Sequence, residues 1–141
     1  MVPLPVTLKA QLRGADLPRL RGSGPLGKLL ARQGQAHGHD HGMAELGRAH
    51  AALPDDLLNF HYDPLACAVA VGWTGATVTD MRLRPVLDAG SLRFQPNSKG
   101  RLTRVVMDID ADSFTESWLT AVEAAQPNRD HQHGGPQTSP D

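Results

Sequence analysis

The sequence predicts an α/β fold in which a few strands form an open sheet flanked by helices. Apolar and polar residues alternate at strand period in three segments, residues 80–84, 91–95 and 104–110. Apolar residues recur at helical spacing, or run without charge, in three further segments, around residues 16–33, 64–72 and 113–125. With 141 residues, 40% of them hydrophobic, the chain can bury one core, so we expect one domain.

The N-terminal segment predicts a strand and two short helices. Val2 to Leu12 alternates loosely and is interpreted as a strand followed by a loop, with its prolines placing it at a sheet edge or a strand start. Asp16 to Arg21 and Pro25 to Gln33 are predicted helices, separated by the breaker Gly22-Ser23-Gly24. The apolar stripe of the second helix is formed by Leu26, Leu29 and Leu30.

A His-rich segment follows these helices. Gly34 to Gly42 contains too many glycines and histidines to predict a helix, so we expect a mobile loop before a further helix within Met43 to Ala52. The run His37-Gly38-His39-Asp40-His41 offers three imidazoles and a carboxylate, which are donors for zinc, nickel or copper. Adjacent donors separated by glycine lack fixed orientation, so we favour a solvated loop and keep a metal site as the alternative.

The stretch from Asn59 to Trp73 carries the strongest functional signal. Asp63 is placed to cap a helix, Pro64 suits the first helical position, and Gly72 can end the helix in a left-handed conformation. Leu65 to Val71 carries no charge, which predicts a buried helix. Asp63 would then lie where a buried layer meets a polar cavity, so it is a candidate metal ligand. The alternative is a carboxylate that only caps the helix.

The remainder of the chain predicts further strands and a last helix. Strands are expected at Thr77 to Arg84, Ser91 to Gln95 and Val105 to Asp110. A turn is expected at Pro96 to Gly100, between the last two strands. Ser113 and Glu116 form a capping-box pattern at the start of the last helix. Its apolar face consists of Phe114, Trp118, Val122 and Ala125. Residues 126–141 are polar and predict a disordered tail.

Charge and cysteine content exclude several classes of protein. Fourteen basic and 15 acidic residues give a formal charge of −1, so no positive field attracts nucleic acid. The single Cys67, expected to be buried in its helix, cannot form an intrachain disulfide, which agrees with a cytoplasmic location. No apolar run approaches the ~20 residues that span a bilayer, and no secretory signal begins the chain, so we expect no membrane association.

The run Tyr62-Asp63-Pro64-Leu65-Ala66, followed by an apolar helix, resembles the His-Asp-Pro-Leu-Ala motif in the C-terminal part of inosine/uridine-preferring nucleoside hydrolases. The flanking segments agree in order with that family. These segments are Pro3 to Thr7, Ala15 to Leu20, Thr77 to Arg84, Val105 to Asp110 and Phe114 to Val122. The resemblance covers residues 1–125, which would form the C-terminal portion of a nucleoside hydrolase domain.

The resemblance implies a hydrolase of purine and pyrimidine salvage that cleaves the N-glycosidic bond of ribonucleosides to ribose and free base. Asp63 matches an aspartate that binds Ca²⁺, the ion that holds the ribose hydroxyls and the attacking water in that family. The preceding residue is normally a histidine proposed to protonate the leaving base, whereas this chain has Tyr62 there and His61 one position earlier. His61 and Tyr62 are therefore the candidate catalytic residues, although both could simply line the cavity. A phenol with a pKa near ~10 is a weaker proton source than an imidazole.

Part of the family pattern has no counterpart in this chain. Family members are about twice as long, and their N-terminal aspartate cluster supplies most of the calcium ligands and the base that activates water. Calcium takes about 6–8 oxygen ligands and one aspartate supplies one or two, so we expect the chain to be inactive alone. Its expected partners are a nucleoside and a separately encoded N-terminal portion or another copy of the chain. The alternatives are a non-catalytic remnant and a small His-rich metal-binding protein.

Overall fold

The computed structural model describes residues 1–125, which are 48% helical and 28% strand, so the predicted mixture of helices and strands is confirmed. The predicted tail, residues 126–141, lies outside the described residues. In chain order the elements are α1 (Leu4–Thr7), β1 (Gln11–Arg13), a 3-10 turn (Gly14–Asp16), α2 (Leu17–Gly22), α3 (Gly24–Asp40), α4 (Met43–Ala49), β2 (Leu57–Phe60), α5 (Tyr62–Ala70), β3 (Ala76–Asp88), β4 (Ser91–Pro96), β5 (Arg101–Ile109) and α6 (Ala111–Ala124).

The strands form two antiparallel sheets, whereas the sequence predicted one open sheet. β1 pairs with β2, and β3 lies between β4 and β5 in the order β4-β3-β5. Ala89 and Gly90 connect β3 to β4 with positive φ angles of 46° and 81°, as a tight hairpin requires. Asn97 accepts a backbone hydrogen bond from Gly100 at 2.8 Å in the turn before β5. Short connections of this kind permit only antiparallel neighbours.

The N-terminal strand prediction is wrong, because Leu4 to Thr7 is a helical turn and only Gln11 to Arg13 is extended. Pro5 occupies the first turn of α1, where a residue without an amide N–H loses no intrahelical bond. The Thr7 hydroxyl donates to the Leu4 carbonyl oxygen at 2.8 Å. The proline that predicted an edge strand is thus equally suited to the start of a helix.

Helix α3 continues through the segment that was predicted to be a mobile loop. Its buried face consists of Gly27, Ala31, Gly34 and Gly38. A β-carbon added at Gly34 would lie 2.5 Å from Cδ2 of Leu12, so glycine permits the close approach of β1. Tertiary packing of a small-residue face therefore outweighs the low helix propensity of glycine.

The predicted leucine stripe of α3 faces largely outward. Leu26 and Leu29 are 39% and 50% exposed. Leu30 alone contributes to the core, packing partly buried against a cluster that contains Leu12 and Leu20. Because glycines allow the backbone itself to approach β1, the side of α3 with the smallest residues faces inward.

Helix α5 also differs from its prediction at the N-terminus. The helix begins at Tyr62, so His61 is the N-cap, Asp63 lies at the second helical position and Pro64 at the third. The left-handed Gly72 is confirmed, with φ of 91°. The C-terminal end is closed by two backbone bonds, from Trp73 N to Ala68 O (2.9 Å) and from Gly72 N to Val69 O (3.2 Å).

The prediction that α5 is buried is wrong. Leu65 is its only buried residue, and Cys67 is exposed. The helix lies on the surface and uses one side to contact the core, which its uniformly apolar sequence did not reveal.

The predicted N-cap of α6 is also corrected. Asp110 Oδ1 accepts a hydrogen bond from the Ser113 amide at 2.9 Å, and Ser113 itself lies within the helix.

Three apolar clusters hold these elements together, and α6 contributes to two of them. One surrounds Phe114 and contains Leu65 and Val106; a second contains Leu20 and Leu119; a third, smaller one lies between α4 and β2. Trp118 packs against both of the larger clusters. None of the helices within residues 1–125 has the length and apolar character to span a membrane.

Candidate functional site

A cavity of about 540 Å³ opens where the end of α3, the start of α4, the end of β2 and the first turn of α5 meet. It is lined by all three site residues predicted from the sequence, His61, Tyr62 and Asp63. His37 and His41 of the His-rich run line the same cavity. The fold thus brings together two polar segments that are separated along the chain by α4 and β2.

His61 lies at the inner wall of this cavity and is only 5% exposed. Its ring centroid lies 4.3 Å from that of Trp118 and 6.0 Å from that of Phe114. Its backbone amide donates to the Ala10 carbonyl oxygen at 2.8 Å, which joins this position to the segment before β1. His61 also lines a smaller cavity of about 280 Å³, together with Gln33 and Trp118.

Burial determines the protonation state of His61. Removal from water disfavours the imidazolium and lowers the pKa of His61 from 6.5 to about 4. Nδ1 is buried and has no hydrogen-bond partner among residues 1–125. At neutral pH the ring is therefore uncharged, with one nitrogen that donates a hydrogen bond and one that accepts. It is not the imidazolium that could transfer a proton to a leaving group.

Tyr62 lies at the mouth of the cavity and is 40% exposed. Its ring stacks on that of Phe60, with centroids 5.7 Å apart and an interplanar angle of 29°. Phe60 is buried and packs in the cluster with Met43 and Leu57, so the Tyr62 ring stacks on a residue that is fixed in the core. The result is an aromatic wall with an accessible phenol.

Asp63 is exposed on the first turn of α5, next to Tyr62. The partial positive charge of the helix N-terminus stabilises a carboxylate at this position. Because the residue is exposed, its carboxylate is accessible to a ligand.

The cavity does not fit a calcium ion with the residues described. Residues 1–125 contain no group of three His, Cys, Asp or Glu side chains that could hold a metal together. Asp63 supplies at most two of the ~6–8 oxygens that calcium takes. The nearby Asn59 side-chain oxygen already accepts from the Phe60 amide at 2.8 Å. Calcium would need ligands from elsewhere.

The structure corrects the prediction for the His-rich run. His37 and His41 occupy the last turn of α3 and its C-cap, and their ring centroids are 4.3 Å apart. His39 is exposed and does not line the cavity, and the same is true of His50. A helical spacing of four residues places the His37 and His41 imidazoles on one side of the helix. Because a loop was predicted here, this spacing was not recognised from the sequence.

Sequence reasoning also missed Phe60 and Trp118 as parts of the site. Both are ordinary core residues by pattern, and only the tertiary packing of α6 brings Trp118 to His61. Comparisons of the chain with protein-family models, with curated proteins and with solved structures found no match. A functional assignment therefore rests on the chemistry of the cavity and on the motif at Tyr62 to Ala66.

Proposed function

We propose that this chain is the C-terminal portion of a calcium-dependent nucleoside hydrolase and that the cavity beside α5 receives the nucleoside. The observation that carries the proposal is the pair Tyr62 and Asp63, adjacent and exposed on the first turn of α5 at the mouth of a cavity of about 540 Å³. This volume suits a small ligand. The pair also carries the resemblance to the family motif.

Asp63 is proposed to bind the ribose hydroxyls and the calcium ion. A free carboxylate accepts hydrogen bonds from ribose hydroxyls and can supply one part of a calcium coordination shell. The rest of that shell has no counterpart in this cavity, so we expect it to come from a separately encoded portion. The hydrolysis is the attack of water on the anomeric carbon with departure of the base.

Tyr62 is the proposed contact to the base. The Phe60–Tyr62 stack offers a planar aromatic surface, and a nucleobase is a planar ligand that stacks on such surfaces. The departing base must gain a proton, and the exposed phenol is better placed to provide it than His61, which is neutral at pH 7. His61 then acts as a hydrogen-bonding group at the inner wall.

Nucleoside binding by the full chain tests this function. We expect ligand-observed NMR to detect weak binding of inosine or uridine that Asp63→Ala and Tyr62→Ala reduce. Asp112→Ala is the matched control, because Asp112 is an exposed acid in the first turn of α6, outside the cavity. Binding that none of these variants changes, or no binding even at millimolar nucleoside, would contradict the proposal.

Turnover provides a separate test. With inosine, uridine and a chromogenic riboside in millimolar calcium, we expect no hydrolysis by the chain alone and hydrolysis once the complementary aspartate-bearing portion is added. Turnover by the isolated chain that disappears in Asp63→Ala would show that the site is complete without a partner. A non-catalytic remnant, the alternative, would remain inactive with the complementary portion present.

A further inference from the structure

We propose that His37 and His41 form a two-imidazole site for a late first-row divalent cation, such as Zn²⁺, Ni²⁺ or Cu²⁺, at the C-terminal end of α3. The two residues are four apart on one helical turn, and their ring centroids lie 4.3 Å apart at an interplanar angle of 43°. Both rings line the cavity of about 540 Å³. Cation binding at these two imidazoles does not rest on the proposed nucleoside hydrolysis.

The spacing suits chelation of one ion. Zinc binds imidazole nitrogen at about 2.0–2.1 Å, so two rings that share an ion must lie on the same side of the helix within a few ångströms of each other. Histidines at i and i+4 of a helix satisfy that requirement and are a known zinc-binding arrangement. Small side-chain rotations are sufficient for each ring to present one nitrogen to a common ion.

The local charge also favours a cation. The His41 amide donates to the His37 carbonyl oxygen at 3.0 Å, which keeps the last turn of α3 closed, and the negative end of the helix dipole lies there. The exposed Asp63 lines the same cavity, and no Lys or Arg side chain does. His41 is exposed and His37 half-buried, so an ion can reach both rings from solvent.

The number of donors sets the strength of binding. Because residues 1–125 contain no group of three metal-binding side chains, protein atoms supply two ligands and water supplies the others. Such a site binds in the micromolar range and keeps open coordination positions, unlike a closed four-ligand zinc site. Imidazole donors also discriminate against calcium, which takes oxygen ligands.

His39 is the matched control. It belongs to the same run, has the same side chain and is exposed, but it does not line the cavity. Residues two apart on a helix do not face each other, so His39 cannot join His37 or His41 around one ion while the helix is intact. A flexible chelating loop would use all three histidines alike.

Calorimetric titration of the full chain with ZnCl₂ or NiCl₂, without nucleoside or calcium, tests the site. We expect one saturable component of micromolar affinity that His37→Ala and His41→Ala each weaken about tenfold or more, as the loss of even an outer-shell partner can do. His39→Ala should leave the affinity within about twofold. Equal losses in all three variants, or no loss in the first two, would overturn the proposal.

A second measurement follows the imidazole signals of the unmodified chain during titration, and a variant serves only to assign the signals of His39. In imidazole ¹H–¹⁵N spectra, substoichiometric Zn²⁺ should shift two histidine side chains, with His39 unaffected; its signals are identified by their loss in His39→Ala. Calcium at the same concentration should shift neither. Shifts that include the His39 ring, or that are confined to histidines other than His37 and His41, would contradict the site.

Discussion

The imidazole of His61 lies against the indole of Trp118, with ring centroids 4.3 Å apart. This contact joins the N-cap of α5 to the middle of α6 and encloses a titratable ring between apolar groups. The inner wall of the cavity is therefore supported by an element from the other end of the described chain, and its integrity depends on how α6 packs.

Acid should destabilise the chain through His61. Above pH 6.5 both folded and unfolded states hold a neutral ring, so this group has no effect on the free energy of unfolding. As the pH falls from 6.5 to about 4, the unfolded chain binds a proton that the folded chain does not, so stability is lost, on the order of 3 kcal/mol when complete. Urea unfolding at a series of pH values between 7.5 and 4 measures this loss.

The variant His61→Phe keeps an aromatic ring against Trp118 and removes the titration. We expect its stability to fall less than that of the wild type over the same pH range, while His50→Gln, which alters an exposed histidine, behaves as the wild type. An identical pH profile in His61→Phe would show that His61 is accessible to protons in the folded state.

Alanine at Gly27 should destabilise the chain even though alanine is the better helix former. A β-carbon there would lie 2.2 Å from the Leu20 carbonyl oxygen and 2.7 Å from Ser23 Cβ, so α2 and α3 must separate. We expect a cost of about 1–3 kcal/mol in chemical denaturation.

Gly22→Ala is the control for Gly27, since a β-carbon at Gly22 meets no atom within 4 Å. That change should be neutral or stabilise by up to about 1 kcal/mol. If both alanine variants unfold at the same denaturant concentration, the close contact between α2 and α3 does not exist in solution.

Asp110, and not Ser113, should contribute the capping energy of α6. The Asp110 carboxylate accepts from the Ser113 amide at 2.9 Å, so Asp110→Ala should cost about 1 kcal/mol. Ser113→Ala leaves that amide in place and should change stability by less than about 0.5 kcal/mol. Thermal melts of the two variants decide between the caps, and the reverse order of effects would restore the capping box predicted from the sequence.

The apolar residues of the β3–β4 hairpin should drive self-association. Leu87 and Leu92 are cross-strand partners that are 73% and 64% exposed, and Phe94, paired with Pro85, is 51% exposed. The registers place these side chains on one face, and an exposed apolar face beside an open strand edge promotes association. Size-exclusion chromatography with light scattering should show oligomers that Leu92→Lys and Phe94→Lys shift toward monomer.

Arg93→Gln is the control for the hairpin, because Arg93 alternates with Leu92 and Phe94 and lies on the opposite face. It should leave the oligomer distribution unchanged. A wild-type chain that elutes as a monodisperse monomer at every concentration tested would contradict this prediction.

Elements that depend on local pattern were predictable from the sequence. Alternation identified β4 and β5, the turn at Asn97 to Gly100 followed from its residue types, and Gly72 has the positive φ expected of it. The failures occurred where two local conformations are nearly equal in free energy. Pro5 suits a first helical turn as well as an edge strand, and the glycines of α3 form a helix only because β1 and β2 lie against them.

The sequence by itself determined the positions of most helices and strands and the adjacent pair Tyr62 and Asp63, because periodicity and turn chemistry act between near neighbours. Only the tertiary structure decided that His37 and His41 reach the same cavity and that His61 is neutral. Burial and convergence arise from contacts between elements distant in sequence, such as α6 against α5, and no local pattern records which of those contacts form.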